Sequence, residues 1–192
     1  SRRYSACLFW CEDFDIAGIE YSRGPDNEIN DARLRPGTST GSPAYMKCSG
    51  RIGVIEGRDT ITIEDKTSGL VVDHIRCAGI KAEAAEDIQI SSIAVDGSLI
   101  PAGANIQAFG IQVGTKRVQI GSVKVRHHAG LQPACTFSAI EDVHIGSLLV
   151  EGTVSNVVDC RIRGPYDGFV IDSLMLVNPV GTGEGLDLQT HA

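Results

Sequence analysis

Four stretches of nine residues share one frame, and that frame limits the folds open to this chain more than its composition does. Residues 118–126 read Val-Gln-Ile-Gly-Ser-Val-Lys-Val-Arg, and the same pattern stands at 88–96, 143–151 and 169–177. Ile90, Ile120, Ile145 and Ile171 hold its third place, at separations of 30, 25 and 26 residues. A recurrence of that length marks stacked supersecondary units, each unable to bury its apolar side alone.

Within the frame, apolar residues fall at positions 1, 3, 6 and 8. Alternation at period two therefore runs for three residues, breaks for two and resumes. The broken positions hold Ser91-Ser92, Gly121-Ser122, Gly146-Ser147 and Asp172-Ser173, residue types that tolerate unusual backbone angles or hydrogen-bond their own backbone. Two short strands meeting at a corner are expected there. A third strand is expected at 110–113, 136–139, near Val157 and Val158, and at 185–188. Inward side chains of successive coils would stack as aliphatic ladders on parallel strands about 4.8 Å apart.

Three short strands per turn make an all-β solenoid, a right-handed parallel β-helix of about six to seven coils in one domain spanning 1–192. In this layout the chain resembles the pectin-lyase-like superfamily, and within it the bacteriophage tailspikes. The resemblance rests on the structural repeat and carries no catalytic signature. The strings Asn-x-Asp, Asp-Asp, Gly-His-Gly and Arg-x-Lys of polygalacturonases are missing from it, as is the calcium-aspartate cluster of pectate lyases.

The frame recurs earlier at 14–21 and 70–77 and blurs between them, where 36–43 reads as a polar loop. Residues 1–12, with Phe9 and Trp10, are expected to plug or complete one end. Residues 81–86 would form the remaining wall of a short coil, or one helical turn. Insertions at 97–109, 127–135, 151–156 and 178–185 fall at one angular position, as expected for a groove-bearing face. Because the chain carries no initiator methionine and stops just after a strand, it is expected to be a piece of a longer one.

The 192 residues carry a formal charge of −7, which argues against nucleic acid or an anionic membrane as partner. No stretch approaches the roughly 18 consecutive apolar residues of a membrane span. Six cysteines, at 7, 11, 48, 77, 135 and 160, fit neither a disulfide scaffold nor a zinc motif, and no cofactor is expected. Cys77 stands at the inward position held elsewhere by Val95, Val125 and Val150, so a core thiol is expected there.

Aligning the frames sets Asp96, Arg126 and Glu151 at the same outward position of three successive units. The two carboxylates would stand about 9–10 Å apart, two strand spacings, at the upper edge of the range for an inverting glycosidase. Asp96 and Glu151 are thus the catalytic candidates. The arginine between them counts against that role, because a nearby cation favours the ionised carboxylate where a general acid needs the protonated one; the alternative is a surface ion ladder. Arg126, Lys124, His127 and His144, with His128 near them, are candidate ligands for the anionic groups of a glycan. A metal site is not expected. Asp13, Asp15 and Glu20 form a second acidic group.

What the resemblance implies is a module, on a virion or outside the cell, that binds bacterial surface polysaccharide and cleaves it if one carboxyl is held protonated. A homotrimer is implied with it. Two alternatives stay open: a secreted monomeric polysaccharide lyase or glycoside hydrolase, and a purely structural virion or adhesin solenoid.

Overall fold

Hydrogen bonding follows the repeat. The computed structural model describes residues 4–8, 13–21, 31–34, 49–58, 60–64, 67–100, 103–153, 159–177 and 185–189. They form strands β1 (Tyr4–Leu8), β2 (Phe14–Tyr21), β3 (Asp31–Leu34), β4 (Gly50–Gly57), β5 (Thr60–Ile63), β6 (Leu70–Cys77), β7 (Gly79–Glu83), β8 (Glu86–Asp96), β9 (Phe109–Gln112), β10 (Thr115–Arg126), β11 (Cys135–Glu151), β12 (Cys160–Val177) and β13 (Leu186–Gln189), with one 3-10 turn at Gly97–Leu99. Odd-numbered strands β1 to β9 pair in series, even-numbered strands β2 to β10 pair in a second series, and β11 closes both. All of these pairings are parallel.

The frame sets the register. Ile120 lies opposite Ile90 on one side and Ile145 on the other, and Ile145 lies opposite Ile171. Ile90, Ile120 and Ile145 are 5 %, 4 % and 0 % exposed, so the third position is one continuous apolar column. Positions six and eight follow suit with Ile75, Ile93, Val123 and Leu148, and with Cys77, Val95, Val125 and Val150, all buried. Burial of this kind is worth roughly 1.5–3 kcal/mol per large aliphatic side chain. Cys77 pairs with Val95, and burial pushes its thiol up to about 12, which leaves it inert as a nucleophile.

The expected β-helix of six to seven coils with three strands each is corrected. The strands belong to one thirteen-stranded parallel sheet that curls on itself toward a barrel, and each repeat supplies two segments to it. Its core is the space enclosed by the curl. The error lay in taking the break in alternation at positions four and five for a chain corner. Pairing resumes in register beyond it, Ser92 with Ser122 and Ser122 with Ser147, so β8, β10 and β11 pass through unbroken. What was expected as a third strand at 110–113 and 136–139 is β9 and the opening of β11, members of the odd series.

Bending comes from single residues in the left-handed region. Asp13, Asp87, Arg117 and Asp142 have φ of 50–60°, and each immediately precedes a frame. Gly69 and Gly168 do the same at φ +78° and +63°. One such residue turns the strand direction without consuming a loop, and aspartate and glycine are the types that accept it most readily. Ala84 and Ala139 repeat the device at the ends of the odd-series segments. In β11 both Ala139 and Asp142 lie inside a seventeen-residue strand, so the curl occurs within the strand.

Residues 81–86 form no helical turn, since Lys81 and Glu83 belong to β7. Tyr4–Leu8 is a strand on the edge of the sheet. The polar loop at 36–43, the aromatic pair Phe9 and Trp10, and the strand expected near Val157 lie outside the described residues.

Candidate functional site

The ninth frame position brings Asp96, Arg126 and Glu151 into register on β8, β10 and β11. They do not act as a trio. Arg126 donates from Nε to Glu151 Oε2 at 3.0 Å. Asp96 is committed elsewhere, because its Oδ1 caps the 3-10 turn, accepting from Ser98 N at 3.1 Å and Ser98 Oγ at 2.7 Å. His127 Nδ1 stands 3.4 Å from the same oxygen. Partial burial alone would raise the Asp96 carboxyl, but the hydrogen bonds from Ser98 and His127 hold it below its usual value. A group so held is a permanent anion, the reverse of a general acid at neutral pH.

The basic residues are spread out. Lys124 makes no ion pair or hydrogen bond among the described residues. His144 sits at the second frame position, with Nε2 2.9 Å from Asp172 Oδ2 on β12. Eight frame positions separate the places of His127 and His144, up to roughly 26 Å along extended chain, too far for one ligand group to meet both. His128 is inside, with no exposed surface. Its Nε2 donates to the Gln132 carbonyl at 2.8 Å, and its Nδ1 is buried without a partner.

Burial holds the His128 imidazole below its ordinary value of 6.5, against the smaller opposing pull of the Gln132 carbonyl and of Asp159. Here the folded value is the lower one, so folding releases a proton between the two values. Stability is therefore full above about pH 6.5 and declines as pH falls toward the depressed folded value. Urea midpoints taken at pH 7.5 and pH 5.0 should differ in wild type and converge in His128→Gln, which keeps a donor for Gln132. The Asp96 contribution is lost only below its ordinary value of 3.8, outside that interval.

A larger concavity lies on the outer side of the odd series. Its floor is set by register: Thr62 stands beside Lys81 and Lys81 beside Gly110, while Glu83 stands beside Gln112. Glu64, following Ile63, continues the second row, since Ile63 pairs with Ala82, the residue before Glu83. The loops before β9 and β11 form the rim with Asn105, Ile106, Gln107 and Gln132. Together they enclose about 670 Å³. Gln132 Nε2 donates to Asn105 Oδ1, tying one loop to the other, and Gln112 Nε2 donates to Gln107 Oε1 at 2.7 Å, tying floor to rim. Lys81 is neutralised by Glu83 at 2.5 Å. The Nε2 group of Gln107 is buried and has no acceptor.

None of the candidates at the ninth position lines this groove. Its amides follow no period, and the usable signal was the set of four insertions, of which 97–109 and 127–135 supply the rim while most of 151–156 and 178–185 lies outside the described residues. No group of three or more His, Cys, Asp or Glu among the described residues could hold a metal ion.

No family model, no curated protein and no solved structure matches the chain. With a single curled sheet in place of a three-stranded coil, the resemblance to tailspikes and pectin-lyase-like enzymes fails. The roles inferred through it fail as well: the phage depolymerase, the secreted lyase or hydrolase, and the virion solenoid.

Proposed function

We propose that the chain is a recognition module whose amide-lined groove holds an uncharged, hydroxyl-rich ligand of the oligosaccharide class. One observation carries this. Four amide side chains, Asn105, Gln107, Gln112 and Gln132, converge from two loops and a strand on one concavity. An amide both donates and accepts, as a sugar hydroxyl does. The Lys81–Glu83 pair leaves the floor with little charge to select an anion.

The volume falls within the roughly 300–1,000 Å³ of small-ligand sites. No aromatic ring among the described residues lines the groove, so affinity there depends on hydrogen bonds and should be modest. Titration calorimetry against neutral and uronate-containing oligosaccharides of three to six units tests the proposal. Neutral chains should bind, and Gln112→Ala and Gln132→Ala should each weaken them about threefold to tenfold, the worth of one or two hydrogen bonds. Preference for the uronates, or neutral binding unchanged in both variants, would refute it.

A further inference from the structure

The rim of the groove is propped from inside by a histidine. Residues 127–132 and 103–107 lie against each other: Leu131 N donates to the Ala104 carbonyl at 2.8 Å, and Gly103 N to the Ala129 carbonyl at 3.0 Å. A Cβ at Gly130 would press on the Ile106 carbonyl oxygen and lie 2.7 Å from His128 Cε1, so a side chain there would hold the two loops off the ring. Through Nε2 the ring donates to the Gln132 carbonyl, and the Gln132 side chain donates in turn to Asn105 Oδ1. Gln132 and Asn105 line the groove, whereas His128 does not. The ring has no exposed surface, and its Nδ1 is buried without a partner.

We infer that His128 is a positioning residue for the groove and that its protonation opens the rim, so that a ligand held at neutral pH is released in mild acid. The neutral tautomer suits this place, with one N–H for one carbonyl and a bare second nitrogen. A proton on Nδ1 would be a buried donor without an acceptor and a charge out of water, a cost relieved when the loop carries the ring into solvent. Residues 97–109, which pack against this loop, bring no ionisable side chain to offset it. From the chain ahead of β12, Asp159 attracts the proton, but one of its carboxylate oxygens already accepts from Thr153 Oγ1. Cys135 and Cys160, beside Asp159, are neutral thiols whose values burial pushes up. Asp96 is engaged with His127 on the exposed side. Burial outweighs the pull of Asp159, and the imidazole is held below 6.5 while the rim is closed. An open loop takes up the proton at that ordinary value, which favours opening by up to about thirtyfold at pH 5.0.

Release rests on the groove's holding the ligand proposed above; opening does not, and amide hydrogen exchange reads it directly. The amides of Leu131 and Gly103 should be less protected than those of Ile120 and Ile145, central in the sheet, at both pH 7.5 and pH 5.0. Between the two, rim protection should fall about threefold to thirtyfold in wild type and stay level in His128→Gln. Calorimetric titration with neutral oligosaccharides of three to six units should show a parallel loss of affinity in wild type and none in the variant. Rim protection equal to that of the core amides would mean that the loop opens only as the whole chain unfolds, and would overturn the inference. So would a fall absent from wild type or persisting in His128→Gln, or wild-type binding of equal strength at both pH values. The wild-type measurements stand by themselves if the variant does not fold. Absence of binding at pH 7.5 would refute the oligosaccharide reading and the release with it, while exchange still decides the opening.

Discussion

Replacing Phe137 by alanine is expected to cost about 3–5 kcal/mol, the largest loss foreseen for a single side chain here. Phe137 has no exposed surface and lies on the odd-series part of β11, between Ile111 of β9 and Ile162 of β12. Its ring meets Phe109 edge-on at 5.6 Å between centroids and Phe169 at 4.9 Å. Phe169 belongs to the long segment of β12 and opens a frame, so the contact bridges the enclosed space from one wall of the curl to the other. Removing the ring takes away buried area and two aromatic contacts worth about 0.5–1.5 kcal/mol each. The cavity left behind would separate walls that backbone hydrogen bonds on either side hold in place, so collapse cannot recover the loss. Phe137→Leu, close to it in volume, should cost under about 1.5 kcal/mol. Urea unfolding followed by far-ultraviolet circular dichroism measures both. A loss below about 1 kcal/mol for the alanine variant would show that the two walls do not depend on this contact.

The same residues show how far the sequence could be read. Ile90, Ile120, Ile145 and Ile171 stand in adjacent strands because their frames are long, strictly apolar at four places and repeated. Register is strongly specified wherever one face is buried, and a shift by one residue would expose the whole column. Chain direction was not specified in that way. Turning is done by one left-handed residue per bend, and Arg117 at φ 53° gives no hint of this in its side chain. It is held there by Asp87, with Nε 2.7 Å from Oδ1, and by Glu86 at 2.9 Å, residues thirty positions away that the fold must first bring close. The Gly-Ser pairs drew the eye because they interrupt the alternation, yet they sit within continuous strands. Outward chemistry was harder still. The column at the ninth position was legible since it belongs to the frame, whereas the groove joins Thr62, Lys81, Gln112 and two loops through pairings of the odd series. Those strands are four or five residues long and carry no frame of their own: β5 reads Thr-Ile-Thr-Ile with all four residues buried.

Gly121→Ala is expected to lose about 1–3 kcal/mol, and the reason is distance between layers rather than backbone angle. Gly121 occupies the fourth frame position, and a Cβ built there would lie 2.5 Å from the Ser91 carbonyl oxygen on β8. The geometry recurs one layer on, where a Cβ at Gly146 would lie 2.6 Å from the Gly121 oxygen, and at the start of the stack, where one at Gly53 would lie 2.5 Å from the Ala17 oxygen. Backbone cannot retreat as a flexible side chain can. Relief would require β10 to move from β8, stretching hydrogen bonds on both sides of Gly121 while the columns at Ile120 and Val123 hold the strand in place. Alanine stiffens the unfolded chain and on that account should stabilise by about 0.4–1 kcal/mol, so a net loss isolates the steric contribution. Ser91→Ala, at the same frame position but with a Cβ already accommodated, should change stability by less than about 0.5 kcal/mol. If Gly121→Ala were as stable as wild type while Ser91→Ala was not, the close layer contact at position four would be no constraint.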